Sequence, residues 1–353
     1  GCWRKVKYNL VNKFKIDFSS PTEYNISFTG DLIKMFTKFP KIGQFRDVIN
    51  HVKQKTRFVG LDDAGEALFD ATIPLPKMVF KGTVKLHGTN AAISRNSDGS
   101  IHFQSRERII TPTSDNAGFA TWASTIDWRQ FLAHFAEFDQ VVIFGEWCGG
   151  NIQQGVAINQ LPKMFVIFKA LADGIWFTPP NLCLPEKQIF NIRHFPTFEV
   201  EIDFEHPEHV QNHLIKITEA VEAECPVGKA FGVSGVGEGV VWTAVTDRSL
   251  IFKVKGEKHS SSKVKKLASV DMDLVASIEE FIDNTVTENR LNQALEHVTL
   301  DVKFTGDFIR WVFNDILTEE ADIIVASGLE PKNIGKYVSV KAKKFFFERI
   351  KNA

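Results

Sequence analysis

Apolar residues recur along this chain at two spacings, and each change of spacing marks a change of structure. From Asp31 to Phe39 the apolar positions are Leu32, Ile33, Met35, Phe36 and Phe39, which lie on one face of a helix. Thr29 or Asp31 supplies a cap and Pro40 a stop. Ile42 to Lys55 repeats the pattern through Phe45, Val48, Ile49 and Val52. The run Thr72-Ile73-Pro74-Leu75-Pro76 then breaks regular structure. From Met78 the period becomes two. Met78 to Leu86 reads as a strand ending at His87-Gly88, and Ala91–Arg95 with Ile101–Ser105 reads as a hairpin turning at Asp98-Gly99. Further strands are predicted over Gln140–Glu146, Met164–Leu171, Gly239–Thr243 and Leu250–Lys255, with helices at Trp128–Phe138 and Val210–Ala223. After Lys258 the spacing is helical to the end, over Met272–Asn284, Glu288–His297, Asp307–Ala326 and Val338–Lys351.

This is an α+β pattern dominated by antiparallel hairpins. It divides into an N-terminal extension of mixed, mainly helical character (1–75), a central sheet-rich domain (76–258) and a helical C-terminal domain (259–353). A length of 353 residues suits two or three such units. The formal net charge is −1, so any nucleic-acid surface has to be a local patch. The lysine- and serine-rich stretch from Lys258 to Lys266 is a candidate for that patch, or a solvated linker. Four scattered cysteines without a C-x-x-C pair give neither a zinc ribbon nor a redox motif, and they fit a reduced intracellular protein. No apolar run is long enough to span a bilayer, so no membrane partner is expected. The opening Gly1-Cys2 suggests a processed start.

Five segments carry candidate chemistry. In Lys85-Leu86-His87-Gly88-Thr89-Asn90 a lysine sits where a strand gives way to a tight glycine turn. A lysine nucleophile must be neutral to attack, and neighbouring cations lower its pKa. Ser105-Arg106-Glu107-Arg108 offers an arginine, at 106 or 108, to phosphate or ribose. Phe144-Gly145-Glu146-Trp147 and Gly237-Glu238-Gly239 each place a carboxylate beside glycine. In Phe252-Lys253-Val254-Lys255, two lysines two apart on a strand share a face. An aromatic from Phe165 or Phe168 could stack on a base. Each element alone is ordinary; a Lys-x-Lys strand is usually an exposed sheet face. Together they suit attack of an amine on a nucleoside triphosphate, with cations for the phosphate charge and a carboxylate for ribose or Mg2+.

These motifs, in this order, resemble those of the covalent nucleotidyltransferase superfamily of DNA ligases, RNA ligases and mRNA capping enzymes. Most members carry K-x-D-G at the lysine. The variant here, Lys85-x-His87-Gly88-x-Asn90, is similar to the RNA ligase 2 type of T-even phages and trypanosome RNA-editing ligases. The resemblance covers roughly Lys77 to Lys255. It implies a nucleotidyltransferase fold with ATP-grasp-like antiparallel sheets, and an ATP-dependent RNA ligase acting through a lysine–AMP intermediate, with Mg2+ or Mn2+. By that match Lys85, flanked by Val84 and Leu86, would carry AMP. Asn90 would contact the AMP or help activate the lysine, Arg106 would contact the nucleotide or the RNA end, Glu146 the ribose, and Phe168, ahead of Phe165, the adenine. Glu238 would lie near the lysine and the metal, directly or through water. Lys253 and Lys255 would touch the α-phosphate. The implied partner is RNA, as a nicked duplex or broken strand ends, with RNA/DNA hybrids a further candidate. RNA repair, a monomer and a cytoplasmic location (a host's, if phage-encoded) complete the expectation. The alternatives are a DNA ligase or guanylyltransferase of the same superfamily, and a non-catalytic RNA-binding protein on the same scaffold.

Overall fold

The computed structural model describes residues 36–179, 182–260, 278–326 and 329–352. In chain order its strands are β1 (Phe58–Leu61), β2 (Ala67–Phe69), β3 (Lys77–Lys85), β4 (Gly88–Arg95), β5 (Ile101–Ser105), β6 (Ile109–Ile110) and β7 (Val141–Cys148). They continue with β8 (Met164–Ala172), β9 (Ile175–Phe177), β10 (Ile189–Asn191), β11 (Thr197–Asp203), β12 (Gly239–Ala244) and β13 (Ile251–Lys255). β1 and β2 form a separate hairpin, and the other strands build two sheets. The larger runs β10-β8-β7-β4-β5-β6, with β9 also paired to β8. The smaller runs β11-β3-β12-β13 and is antiparallel throughout. β3 ends the small sheet's contribution to this stretch and β4 begins the large one, so Leu86 and His87 join the two sheets.

Alternation along β3 explains its two faces. Phe80 and Val84 are buried on one side, whereas Lys81, Thr83 and Lys85 point to the other. The buried side joins a core with Val240, Trp242, Phe252 and Val254. Helix Glu208–Ala223 covers it through Val210, Leu214 and Val221, and helix Phe45–Arg57 through Phe45, Val48, Ile49 and Val52. The N-terminal helix thus completes the central core instead of forming one of its own. A second core lies under the far face of the large sheet, where Ile143, Trp147 and Phe165 meet Phe119, Trp128 and Phe131. A third holds the C-terminal helices together around Phe308, Val312, Ile316, Val338 and Phe346.

Several elements differ from those predicted. The helix expected over Asp31–Phe39 lies outside the described residues up to position 35, and 36–39 is not helical. Phe39 is instead a core residue, its ring 5.1 Å from Phe144 and 5.2 Å from Phe168. The Trp128–Phe138 helix shrinks to Arg129–Ala133, and the Asp307–Ala326 helix splits into Thr305–Glu319 and Ala321–Ala326. The split falls at Glu320, whose buried carboxylate is shared by Arg46 and Arg290. Residues 261–266 of the lysine-rich stretch lie outside the described residues.

Candidate functional site

Strand register brings three lysines to one place. Lys85 is paired with Gly239, which is paired in turn with Lys255; Thr83, Val241 and Lys253 form the next row. Lys85, Lys253 and Lys255 therefore share the face opposite the apolar core. Gly239 makes the close row possible. Its φ is +150°, and a Cβ there would lie 2.1 Å from the Val254 carbonyl oxygen, so only glycine fits.

Glu238, just before that glycine, sits between two of the lysines. Its Oε2 accepts from Lys85 Nζ at 2.7 Å and its Oε1 lies 3.0 Å from Lys255 Nζ. His87 Nδ1 is 3.3 Å from Oε2. The Glu238 side chain is only 1% exposed. Burial opposes its ionisation, but Lys85 and then Lys255 outweigh burial and hold its carboxyl well below the usual carboxylate range. Burial likewise works against the charge on Lys255, and Glu238 overrides it to raise that pKa. Val84 and Leu86, on either side of Lys85, are buried in the core and fix the backbone from which the amine projects.

The large sheet supplies the opposite wall. Glu146 is paired with Asn90 on one side and Val166 on the other, so the three share a face. Asn90 Oδ1 is buried without a hydrogen-bond partner among the described residues. Burial pushes the Glu146 carboxyl up to about 7, against the pull of Lys85, while Glu238 adds to the rise. A carboxylic acid whose folded pKa exceeds its unfolded one is more protonated in the native state. Its contribution to stability is full below about pH 4.5 and is lost as pH rises through about 7. Replacing Glu146 by Gln should flatten that part of a stability-versus-pH curve measured by urea unfolding; an unchanged slope would place the effect in another group.

A bulge sets the two aromatics on opposite faces of the sheet. In the β7–β8 pair, Phe144 faces Lys169 and Gly145 faces Ile167, which leaves Phe168 unpaired. Phe168 packs on the Glu146 side of the sheet, edge-on to Phe39. Phe165 points the other way, fully buried among Phe119, Trp122 and Trp147. Lys169 donates to the Arg248 carbonyl at 2.8 Å, and burial followed by the Arg248 charge lowers its pKa to about 8. The two arginines also separate. Arg108 ties down its own loop through the Ser114 and Asp115 carbonyls. Arg106 is 45% exposed, with Glu107 3.6 Å away, and makes no contact with the lysine cluster in this structure.

Residues far from the motifs reach the cluster as well. Glu319, at the end of helix Thr305–Glu319, accepts from Lys253 at 3.3 Å, Lys41 at 2.9 Å and the Gln44 side-chain amide at 3.0 Å. Burial lowers the Lys253 pKa to about 8, with Glu319 opposing and Lys255, Lys85 and Lys41 reinforcing the drop. His259 packs edge-on to His87 at 5.3 Å, and burial lowers its pKa to about 4. Nothing local in the sequence pointed to Glu319, Lys41, Gln44 or His259. His87 entered the sequence reading as part of the Lys85-x-His87-Gly88-x-Asn90 motif, without a contact assigned to it.

The cleft's oxygen donors are the Glu146 carboxyl, the unpartnered Asn90 Oδ1 and Glu238, whose oxygens are already engaged. Among the described residues a three-ligand group of His, Cys, Asp or Glu occurs only at His206, Glu208 and His209, which are exposed. The cleft therefore suits a hard cation that keeps most of its waters and leans on phosphate oxygens, as Mg2+ does. Among the described residues no helix is long and apolar enough to cross a membrane.

Residues 79–255, half of the chain, match the family model described as RNA ligase. No curated protein sequence matches. Among solved structures the chain is similar to Naegleria gruberi RNA ligase with PPi, at 16% identity and a TM-score of 0.39, covering 70% of this chain and 64% of that one. It is also similar to a variant of that ligase with ATP and Mn (16%, TM-score 0.38, 66% and 62%) and another with AMP and Mn (16%, TM-score 0.39, 69% and 61%). The chain thus spans less than two thirds of the length of the solved ligases it matches.

Proposed function

This chain belongs to the RNA ligase family, and on that premise we propose that it is an ATP-dependent RNA ligase that carries AMP on Lys85. The observation that carries the reading is the Lys85–Glu238–Lys255 row, an amine held at 2.7 Å by a carboxylate that Lys85 itself and then Lys255 keep ionised. Glu238 is a poor base in this state, so its role is to orient Lys85. Only the neutral amine is a nucleophile, so Lys85 gives up a proton to solvent before it attacks. Lys85 Nζ then forms a bond to the α-phosphorus of ATP while the bond from that phosphorus to the pyrophosphate oxygen breaks. Lys253 and Lys255 stabilise the charge that develops on the phosphate oxygens. Glu146 and Asn90, on the facing sheet, are available to ribose hydroxyls, and Phe168 to adenine. A divalent cation, when bound through Glu146, Asn90 or water held by Glu238, would neutralise phosphate charge. AMP would pass from Lys85 to an RNA 5′-phosphate, and a 3′-hydroxyl would displace it as the strands join.

RNA as partner is supported by the last helix, Pro331–Lys351. It carries Lys332, Lys336, Lys341, Lys343, Lys344, Arg349 and Lys351 against one acid, Glu348. One face is buried through Ile334, Val338, Ala342 and Phe346. The other exposes Lys332, Lys336, Lys343, Lys344 and Lys351 together with Tyr337 and Val340. Such a face offers charge to phosphates and an aromatic to bases. In RNA binding measured against salt, Lys336→Glu with Lys343→Glu should make the log–log slope shallower by about 1.4 to 1.8, from two lost phosphate contacts. AMP transfer to Lys85 should be unaffected. An unchanged slope would move the RNA to another surface.

Sealing itself is tested with nicked RNA duplexes and single strands bearing 3′-hydroxyl and 5′-phosphate ends, supplied with ATP or GTP. Joined product with ATP supports the reading. Lysine labelling from GTP and not from ATP would replace it with a guanylyltransferase.

A further inference from the structure

We propose that Lys41, Gln44 and Lys253 form a subsite for the β- and γ-phosphates of the nucleotide, and that the Glu319 carboxylate occupies it until the triphosphate enters. The proposal rests on the ligase reading for the identity of the nucleotide, and on geometry for the subsite.

Three donors from two distant segments converge on one anion. Glu319 Oε1 lies 2.9 Å from Lys41 Nζ and 3.3 Å from Lys253 Nζ, and Oε2 accepts from Gln44 Nε2 at 3.0 Å. Two ammonium groups and an amide around paired oxygens are equally the surroundings of a phosphate. The position is also right. Lys253 shares the face of Lys85 and stands two residues from Lys255, about 7 Å along the strand. That places the trio one or two phosphates beyond the amine that attacks the α-phosphorus.

Glu319 is not needed there to dock its helix. Its main-chain carbonyl is held separately by Arg46 at 2.8 Å and by Gln44 at 3.3 Å. The next residue, Glu320, is held by Arg46 at 3.3 Å and by Arg290 at 3.0 Å. Rotation of the Glu319 side chain would therefore free both lysines while the helix end stays in place. Exchanging one anion for another also avoids leaving a partly buried cation uncompensated at any stage. Lys41, Gln44 and Glu319 lie outside the residues that match the family model and Lys253 lies within them, so the flanking segments supply all but one of the groups.

An ordinary structural ion pair and a resident competitor predict different things for its two ends. If the pair were only structural, Glu319→Gln and Lys41→Met would act in the same direction. In the proposed arrangement they act oppositely. The test is calorimetric binding of inorganic tripolyphosphate to the full chain, with thermal melting to check each variant's fold. Glu319→Gln should bind about ten-fold more tightly than wild type and Lys41→Met about ten-fold more weakly. Glu319→Asp, which keeps the charge and withdraws it by one methylene, should fall between wild type and Glu319→Gln and serves if the glutamine variant melts early. In AMP transfer the same changes should move the KM for ATP far more than kcat. Binding that is unchanged, or weakened in both Glu319→Gln and Lys41→Met, overturns the subsite. Tripolyphosphate binding needs no chemistry, so a chain that binds as stated but never takes AMP would keep the subsite and sink the ligase reading. AMP transfer with binding unaltered in both variants would do the reverse.

Discussion

Lys85→Ala forms no protein–AMP adduct: the expected loss is at least about a thousand-fold, because no other group supplies the attacking amine. The fold should survive. The Lys85 side chain is 20% exposed, and without it Glu238 still has Lys255 at 3.0 Å and His87 at 3.3 Å. Comparable melting temperatures for the two proteins, with adduct in only one, would separate lost chemistry from lost structure. Adduct on the alanine variant would mean that another lysine is the nucleophile. Lys85→Arg should be as inactive as alanine, since a guanidinium does not become a neutral nucleophile in proteins.

Glu238→Ala should fail in a different way. Its carboxylate is the shared partner of Lys85 and Lys255, and it is almost wholly buried. Removing it leaves two ammonium groups, on the strands that flank β12, without the anion between them. Deleting one partner of a buried pair costs about 3–5 kcal/mol. The variant should therefore lose both adduct formation and stability, read as a lower denaturant midpoint with an unchanged m-value. Glu238→Gln keeps the volume and a hydrogen-bonding oxygen, so it should recover part of the stability and little of the activity. A stable, active Glu238→Ala would show that the row of charges is incidental.

The pattern of the chain made the central strands legible because their two faces meet different surroundings. Phe80 and Val84 go to the core while Lys85 does not, and the same alternation sets Lys253 and Lys255 on one side. β11 was missed although Phe198, Val200 and Ile202 alternate with Glu199 and Glu201. The β1–β2 hairpin was masked by apolar residues that stay exposed, among them Phe58, Leu61 and Phe69. The break at Glu320 depends on Arg46 and Arg290, which are distant in sequence, so no window around the helix contains its cause. The site divides in the same way. Lys85, Glu238 and Lys255 could be picked out by order and type, and cross-strand register then brings them together. That Phe165 and Phe168 lie on opposite faces of the sheet depends on the bulge, which no residue announces. The Glu319 contact needed three segments to be folded first.

The central claim is that AMP becomes covalently attached to Lys85. The direct measurement is mass spectrometry of peptides after incubating the full chain with ATP and Mg2+, preceded by pyrophosphate treatment to strip any AMP carried from expression. The account predicts an AMP adduct on the peptide containing Lys85, formed with ATP and absent without it. No adduct with Mg2+ or Mn2+, or an adduct on a different lysine, would contradict it.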